Sequence, residues 1–222
     1  MPKSENPQSA QIISRRRVAD HGEVFTAERE VRAMCDLVGQ ECERIESRFL
    51  EPACGQGAFL VEILKRKLAV VAARCPHPQI AWERYAVLAV CSLYGVEILS
   101  DNVEICRQKL FDVFDAEYTR LFSDTCKTAC RRAVRCILNL NIVWGDALTL
   151  KTPDDTQKPI VFAEWSDTGE GLFKRRDFTL ANLLENQPME GMNLFSDLGE
   201  QAFLPTPVAE YPLVHFLKIG EP

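Results

Sequence analysis

The hydrophobic positions change period several times along the chain, and each change marks an element. Between His21 and Val38 the apolar residues Val31, Met34, Cys35 and Val38 recur at helical spacing. Thr26 stands where it can cap that helix, and Glu28 and Glu30 suit its positive end. Arg48, Phe49 and Leu50 then read as a short strand, stopped by Pro52, which has no amide hydrogen for a ladder. Helical spacing returns with Phe59, Leu60, Ile63 and Leu64 and runs through a basic patch, Lys65, Arg66 and Lys67, to Pro76-His77-Pro78. A second helix is expected from Gln79 to Leu93, followed by the strand YGVEIL.

Ser100 and Asp101 can cap the next helix, whose stripe is Val103, Cys106, Leu110 and Val113. A further helix, Ser123 to Leu138, carries Ala129, Ala133, Val134 and Ile137. The strand in NIVWGDAL ends at Gly145 and Asp146, and PIVFAEW, Pro159 to Trp165, is a candidate fourth strand leading into the turn SDTGEG. Strands alternating with helices define an α/β chain built on a parallel sheet, with helices on both faces.

Beyond Trp165 the pattern loosens. Lys174, Arg175 and Arg176 precede DFTLANLLENQ, where Asp177 can cap a short helix carrying Phe178, Leu180, Leu183 and Leu184. FLPTPVAEYPLVHFLKIGEP cannot be a regular helix because of Pro205, Pro207 and Pro212, yet it is too hydrophobic for a free linker. It lies either on a partner or back on this chain's own sheet. The expected organisation is a polar tail over residues 1–13, a main domain over 14–165 and an irregular, partner-binding C-terminal extension over 166–222.

With 222 residues, 46% of them hydrophobic, the chain can bury a full core. Its net charge of −6 argues against gripping a phosphate backbone alone, and Arg15, Arg16 and Arg17 read as solvated surface. Nine cysteines without a secreted-domain pattern point to a reducing cytoplasm, and no apolar run is long enough to span a membrane. Cys126 and Cys130 fall four apart on one expected helix, but no zinc-type spacing accompanies them, and His21, His77 and His215 are isolated. No metal is expected.

Gly55 and Gly57 allow positive φ and close approach by a ligand between a strand and a helix, although two nearby glycines alone are more often an ordinary turn. An acidic residue at the end of the second strand, Glu97, can accept from both ribose hydroxyls, with Ile98 against adenine. The stretch EPACGQGAFL closely resembles motif I of the class I S-adenosylmethionine-dependent DNA adenine-N6 methyltransferases, with Gln56 where the family often has serine. G-x-x-F-T before the first helix resembles motif X, with Ala27 where proline is common; G-V-E-I resembles motif II, and the strand ending at Asp146 resembles motif III.

The resemblance implies a Rossmann-like methyltransferase sheet holding S-adenosylmethionine. The implied cofactor residues are Phe25, Thr26, Glu51, Ala53, Cys54, Gly55, Gly57, Phe59, Glu97, Ile98, Asp146 and Ala147. The motif X backbone and Thr26 would contact the methionine end, and Asp146 would take the adenine amino group.

The family's catalytic N-P-P-Y or D-P-P-Y, which holds the flipped base, is absent from the sequence. No catalytic residue is therefore assigned. Three explanations compete: a split enzyme whose partner supplies N-P-P-Y and double-stranded DNA recognition, a non-catalytic cofactor-binding protein, and a methyltransferase for a small molecule or protein. The first is favoured, with this chain inactive alone and PIVFAEW and the C-terminus at the partner interface.

Overall fold

The computed structural model describes residues 26–185 and 205–221. Helix α1, Glu28–Leu37, starts after Ala27 without a side-chain cap, so Thr26 sits one position outside the capping role expected of it. Only Val31 and Cys35 of the expected stripe are buried; Met34 and Val38 are 53% and 44% exposed. The cause is geometric, since α1 rests on one long helix, Ala58–Arg74 (α3), and its remaining apolar flank faces outward. A single turn, Gly39–Cys42 (α2), follows α1.

Three parallel strands, Phe49–Glu51 (β1), Leu93–Glu97 (β2) and Ile142–Trp144 (β3), form a sheet in the order β1-β2-β3. Leu50 pairs with Tyr94, and Glu97 with Trp144. Alternation along the strands turns Phe49, Leu93 and Ile142 toward one layer and Tyr94, Val96 and Val143 toward the other. The first layer is α3 with Gln79–Cys91 (α4), Ser100–Phe122 (α5) and Thr128–Asn141 (α6). The helix α4, inserted between the first two strands as expected, anchors this layer through Trp82, which stacks on Tyr118 of α5 at 5.4 Å. Ser100 and Asp101 open α5 but make no side-chain cap, Leu99 being the N-cap residue. Cys126 precedes α6 while Cys130 lies within it, so the two thiols do not share a helix.

Lys67, the last residue of the basic patch, turns inward. It is fully buried, and its ammonium donates to Ile45 O at 2.9 Å, to Ser47 O and to Ser92 Oγ at 2.7 Å. The helix thereby ties the approach to β1 to the approach to β2. Burial lowers the Lys67 pKa to about 8.

Among the described residues, the second face of the sheet is covered by Ile160, Phe162 and Leu180 and not by a long helix. Phe162 belongs to Val161–Gly169 (β4), which forms an antiparallel hairpin with Leu172–Thr179 (β5) in a separate sheet and does not join the parallel one. The boundary expected after Trp165 falls inside β4. Asp177 and Phe178, expected in a helix, lie in β5, and the helix (α7) is Leu180–Glu185. The basic run is neutralised in place: Arg175 grips Asp177 at 2.7 and 2.8 Å, and Arg176 donates to Glu164 at 3.0 Å. Cation pairing lets a charged segment form a strand that composition alone disguises.

The last segment returns to this chain. Ala209–Glu210 (β6) and Val214–His215 (β7) both pair with β5, and a 3-10 turn, Phe216–Lys218, buries Phe216 near Phe173 and against α6. PIVFAEW and this segment therefore pack on this chain itself, with Phe162, Ala163, Trp165 and Phe216 buried, while Val161, Val208, Tyr211 and Leu213 remain exposed. Among the described residues, no helix is long and apolar enough to cross a membrane.

Candidate functional site

The parallel strands end together, and three loops meet at their carboxyl edge. The first contains Cys54 to Gly57. Its path is fixed by Cys54 donating to Val96 O at 2.9 Å and Gly57 donating to Cys54 O at 2.7 Å. Gly57 (φ +83) is the N-cap of α3 and has no side chain to satisfy the first amides of that helix, while Gly55 (φ +51) turns its α-carbon toward open space. A Cβ at Gly95 would fall 2.9 Å from Cys54 Sγ, so β2 lies tight beneath the loop.

Glu97 joins this loop to the end of β2. It is 7% exposed; Oε2 accepts from the Gly55 amide at 2.8 Å and Oε1 from the Leu99 amide at 2.9 Å. Each carboxylate oxygen keeps a further lone pair after these bonds. Ile98 stands out at 46% exposure, and its carbonyl accepts from the indole of Trp144 at 2.9 Å. Trp144, registered beside Glu97, places an exposed ring at this edge.

The third loop follows β3. Gly145 donates to Glu97 O at 3.0 Å. Asp146 organises its own turn, accepting from the Leu148 amide at 2.8 Å and the Thr149 hydroxyl at 3.1 Å. Ala147 is half-buried and packs against the Tyr94 and Val96 cluster.

The remaining expected residues divide between two neighbouring cavities. Thr26 lines one of about 200 Å³ with Ala58, Val61, Lys65 and Lys109, at the start of α3. Glu51 and Phe59 line another of about 310 Å³ with Met34, Val38 and Leu50, on the outer side of β1. Ala53 is exposed beside the loop. Burial raises the Glu51 carboxyl above its usual pKa, and a hydrogen bond from the Ala53 backbone pulls it partly back. Phe25 lies outside the described residues. The structure thus gathers Gly55, Gly57, Glu97, Ile98 and Asp146 at one edge, brings Thr26 to the α3 end of it, and leaves Phe59 facing the other way.

Four residues of the site are not among those the motifs imply. Besides Trp144, they lie at helical spacing on α5: Asn102, Cys106 and Lys109. Asn102 accepts from Gln56 Nε2 at 3.4 Å, and Lys109 donates to Gln56 Oε1 at 2.9 Å, so the side chain between the two glycines is held from both ends. Their spacing of four and three residues is the signal that one face of α5 serves the loop. A hydrogen bond with Cys106 and burial push the Cys54 thiol far above its ordinary pKa. All nine cysteines are free, and among the described residues no group of three or more His, Cys, Asp or Glu could hold a metal ion.

No family model, curated protein or solved structure matches the chain.

Proposed function

We propose that this chain is the S-adenosylmethionine-binding subunit of a split DNA adenine-N6 methyltransferase with a Rossmann-like sheet, whose partner supplies N-P-P-Y and reads double-stranded DNA. The observation that carries the reading is the 2.8 Å bond between the Gly55 amide and Glu97, which couples the glycine loop to the acidic end of the second strand. The open side of Gly55 leaves room for a ligand to approach the backbone, which a side chain there would fill. The cofactor would supply the transferable methyl group. Glu97 would accept from the ribose hydroxyls through its remaining lone pairs, Ile98 and the Trp144 ring would flank the purine, and Lys109 and Thr26 would face the methionine end. This chain's residues bind and orient; receiving the base falls to the partner, because the sequence has no N-P-P-Y to accept the adenine amino protons.

A second reading, a cofactor-binding protein without catalysis, is favoured by the sequence, which lacks N-P-P-Y and carries a net charge of −6 that opposes a phosphate backbone. One experiment separates the readings: calorimetry of the purified chain with S-adenosylmethionine, followed by labelled-methyl transfer to mixed-sequence DNA with and without an N-P-P-Y-bearing partner. Binding with transfer only in the partner's presence supports the split enzyme. Binding without transfer in either case supports the second reading, and no binding at millimolar cofactor defeats both.

A further inference from the structure

The glycine loop leads into a cavity whose charge does not match a methionine tail. From the Gly55 amide on Glu97 the backbone runs through Gln56 and Gly57 to Ala58, which lines the cavity of about 200 Å³ with Thr26, Glu28, Glu62, Lys65 and Lys109. A substituent on the 5′ carbon of a ribose held by Glu97 would follow the loop into it. The two carboxylates on its wall are already matched with arginines: Glu28 accepts from Arg32 at 2.5 Å, and Glu62 from Arg66 at 2.9 Å. Arg66 also meets Asp36 at 2.8 Å. Among the described residues neither lysine has a carboxylate partner. Lys109 gives one ammonium hydrogen to the uncharged Gln56 Oε1 at 2.9 Å and keeps its others. Both lysines are exposed, on flexible stems that can close on a ligand.

Two unmatched ammonium groups oppose a cationic occupant. The tail of S-adenosylmethionine sets a sulfonium and an ammonium against one carboxylate and is net positive. A diphosphate has the opposite sign and enough acceptor oxygens to engage both lysines at once. We infer that this site also takes a nucleoside diphosphate, with its adenosine on Glu97, Ile98 and Trp144 and its phosphates between Lys65 and Lys109. ADP seated there excludes S-adenosylmethionine, so the ratio of the two ligands sets how much of the chain carries a methyl donor. The chain's net charge of −6 opposes anions from a distance. Exposed charges beyond about 8 Å are largely screened at physiological salt, which leaves the local excess at Lys65 and Lys109 to decide. The placement of adenosine rests on the proposed function; the unmatched lysines do not.

Calorimetry on the full chain, with adenosine, AMP, ADP and S-adenosylmethionine and without divalent cations, tests this. ADP should bind about tenfold tighter than adenosine, with AMP between them, the gain expected of charge-assisted hydrogen bonds to phosphate. S-adenosylmethionine should displace it. Lys65→Met should remove most of the gain while adenosine affinity holds, and Lys109→Met should weaken ADP likewise. Because Lys109 also holds Gln56, Lys65→Met is the variant that leaves the bonds of the loop in place. Raising salt from about 50 to about 300 mM should weaken ADP and leave adenosine unchanged. Three results overturn the inference: ADP bound no more tightly than adenosine, or not at all; ADP affinity unchanged in either lysine variant; or ADP and S-adenosylmethionine bound together without displacement. S-adenosylmethionine that fails to bind while ADP binds through both lysines removes the proposed function and leaves this inference. Binding of S-adenosylmethionine and adenosine with no gain for ADP removes only the inference.

Discussion

Gly57 lies so close to Cys106 that a Cβ on the glycine would stand 2.5 Å from the Cys106 sulfur. The loop after β1 and helix α5 meet at a distance only glycine permits. Gly57→Ala should therefore destabilise the chain by about 2 to 4 kcal/mol, from overpacking together with the left-handed backbone at this position. Urea denaturation measures the loss. In a double-mutant cycle, Cys106→Ala should recover part of it, and strictly additive losses would show that the contact is not the cause.

Glu97→Gln replaces one acceptor oxygen with an amide that cannot accept from Gly55 or Leu99. Affinity for S-adenosylmethionine should fall about 10- to 100-fold, the loss expected for charged hydrogen bonds. Calorimetry on the variant checks this, with circular dichroism to establish that the fold remains.

Lys67 gives the stability a pH signature. Its pKa is about 8 in the folded chain against an ordinary 10.5, so between those values the unfolded chain holds more protons. The destabilisation from burying the cation is complete below pH 8 and is relieved as pH rises toward 10.5. The slope is at most about 1.4 kcal/mol per pH unit. Buried thiols such as Cys91 and Cys130, with raised pKa values, oppose it above pH 9. The relevant quantity is thus the difference between the wild type and Lys67→Met, which removes the lysine and leaves the thiols. At pH 7 the variant should be less stable by about 2 to 3 kcal/mol, because three acceptors lose their donor. Denaturation curves from pH 7 to 10 resolve both effects.

Phe162 distinguishes internal core from interface. It is 2% exposed and meets Tyr94 edge-on at 5.3 Å, so Phe162→Ala should cost about 3 to 5 kcal/mol in the isolated chain. Leu37→Ser, at the exposed flank of α1, should change stability by no more than about 0.5 kcal/mol. Thermal unfolding of the two variants side by side tests the contrast.

Local signals in the sequence locate the strand-to-helix turns and the edge at which they meet. Phe49, Gly55, Gly57 and Glu97 were legible because period, positive-φ glycine and strand-end acidity are properties of a few neighbouring residues. Lys67 was not, since the same charge reads as surface until the carbonyls of Ile45 and Ser47 converge on it. Phe178 was assigned to a helix because the strand it joins is stabilised by cross-strand partners, including Phe162, distant in sequence. Met34 and Val38 fit a buried stripe by spacing, but spacing shows which face is apolar and not whether anything covers it. The support given to the glycine loop by Asn102, Cys106 and Lys109 likewise exists only once α5 lies against it.

The return of Val214 and Phe216 to β5 also sets an order of events during synthesis. Strand β5 ends at Thr179, and the residues that flank and cover it emerge only from Ala209 onward. While the ribosome adds the intervening residues, Phe173 remains bare and the second edge of the hairpin is unpaired, the state most open to association with other nascent chains. The helical layer and parallel sheet, complete by Trp144, can form earlier from contacts closer in sequence. A pause after Thr179 has left the ribosome and before Ala209 has would thus hold the chain with one half assembled and the other exposed to chaperones.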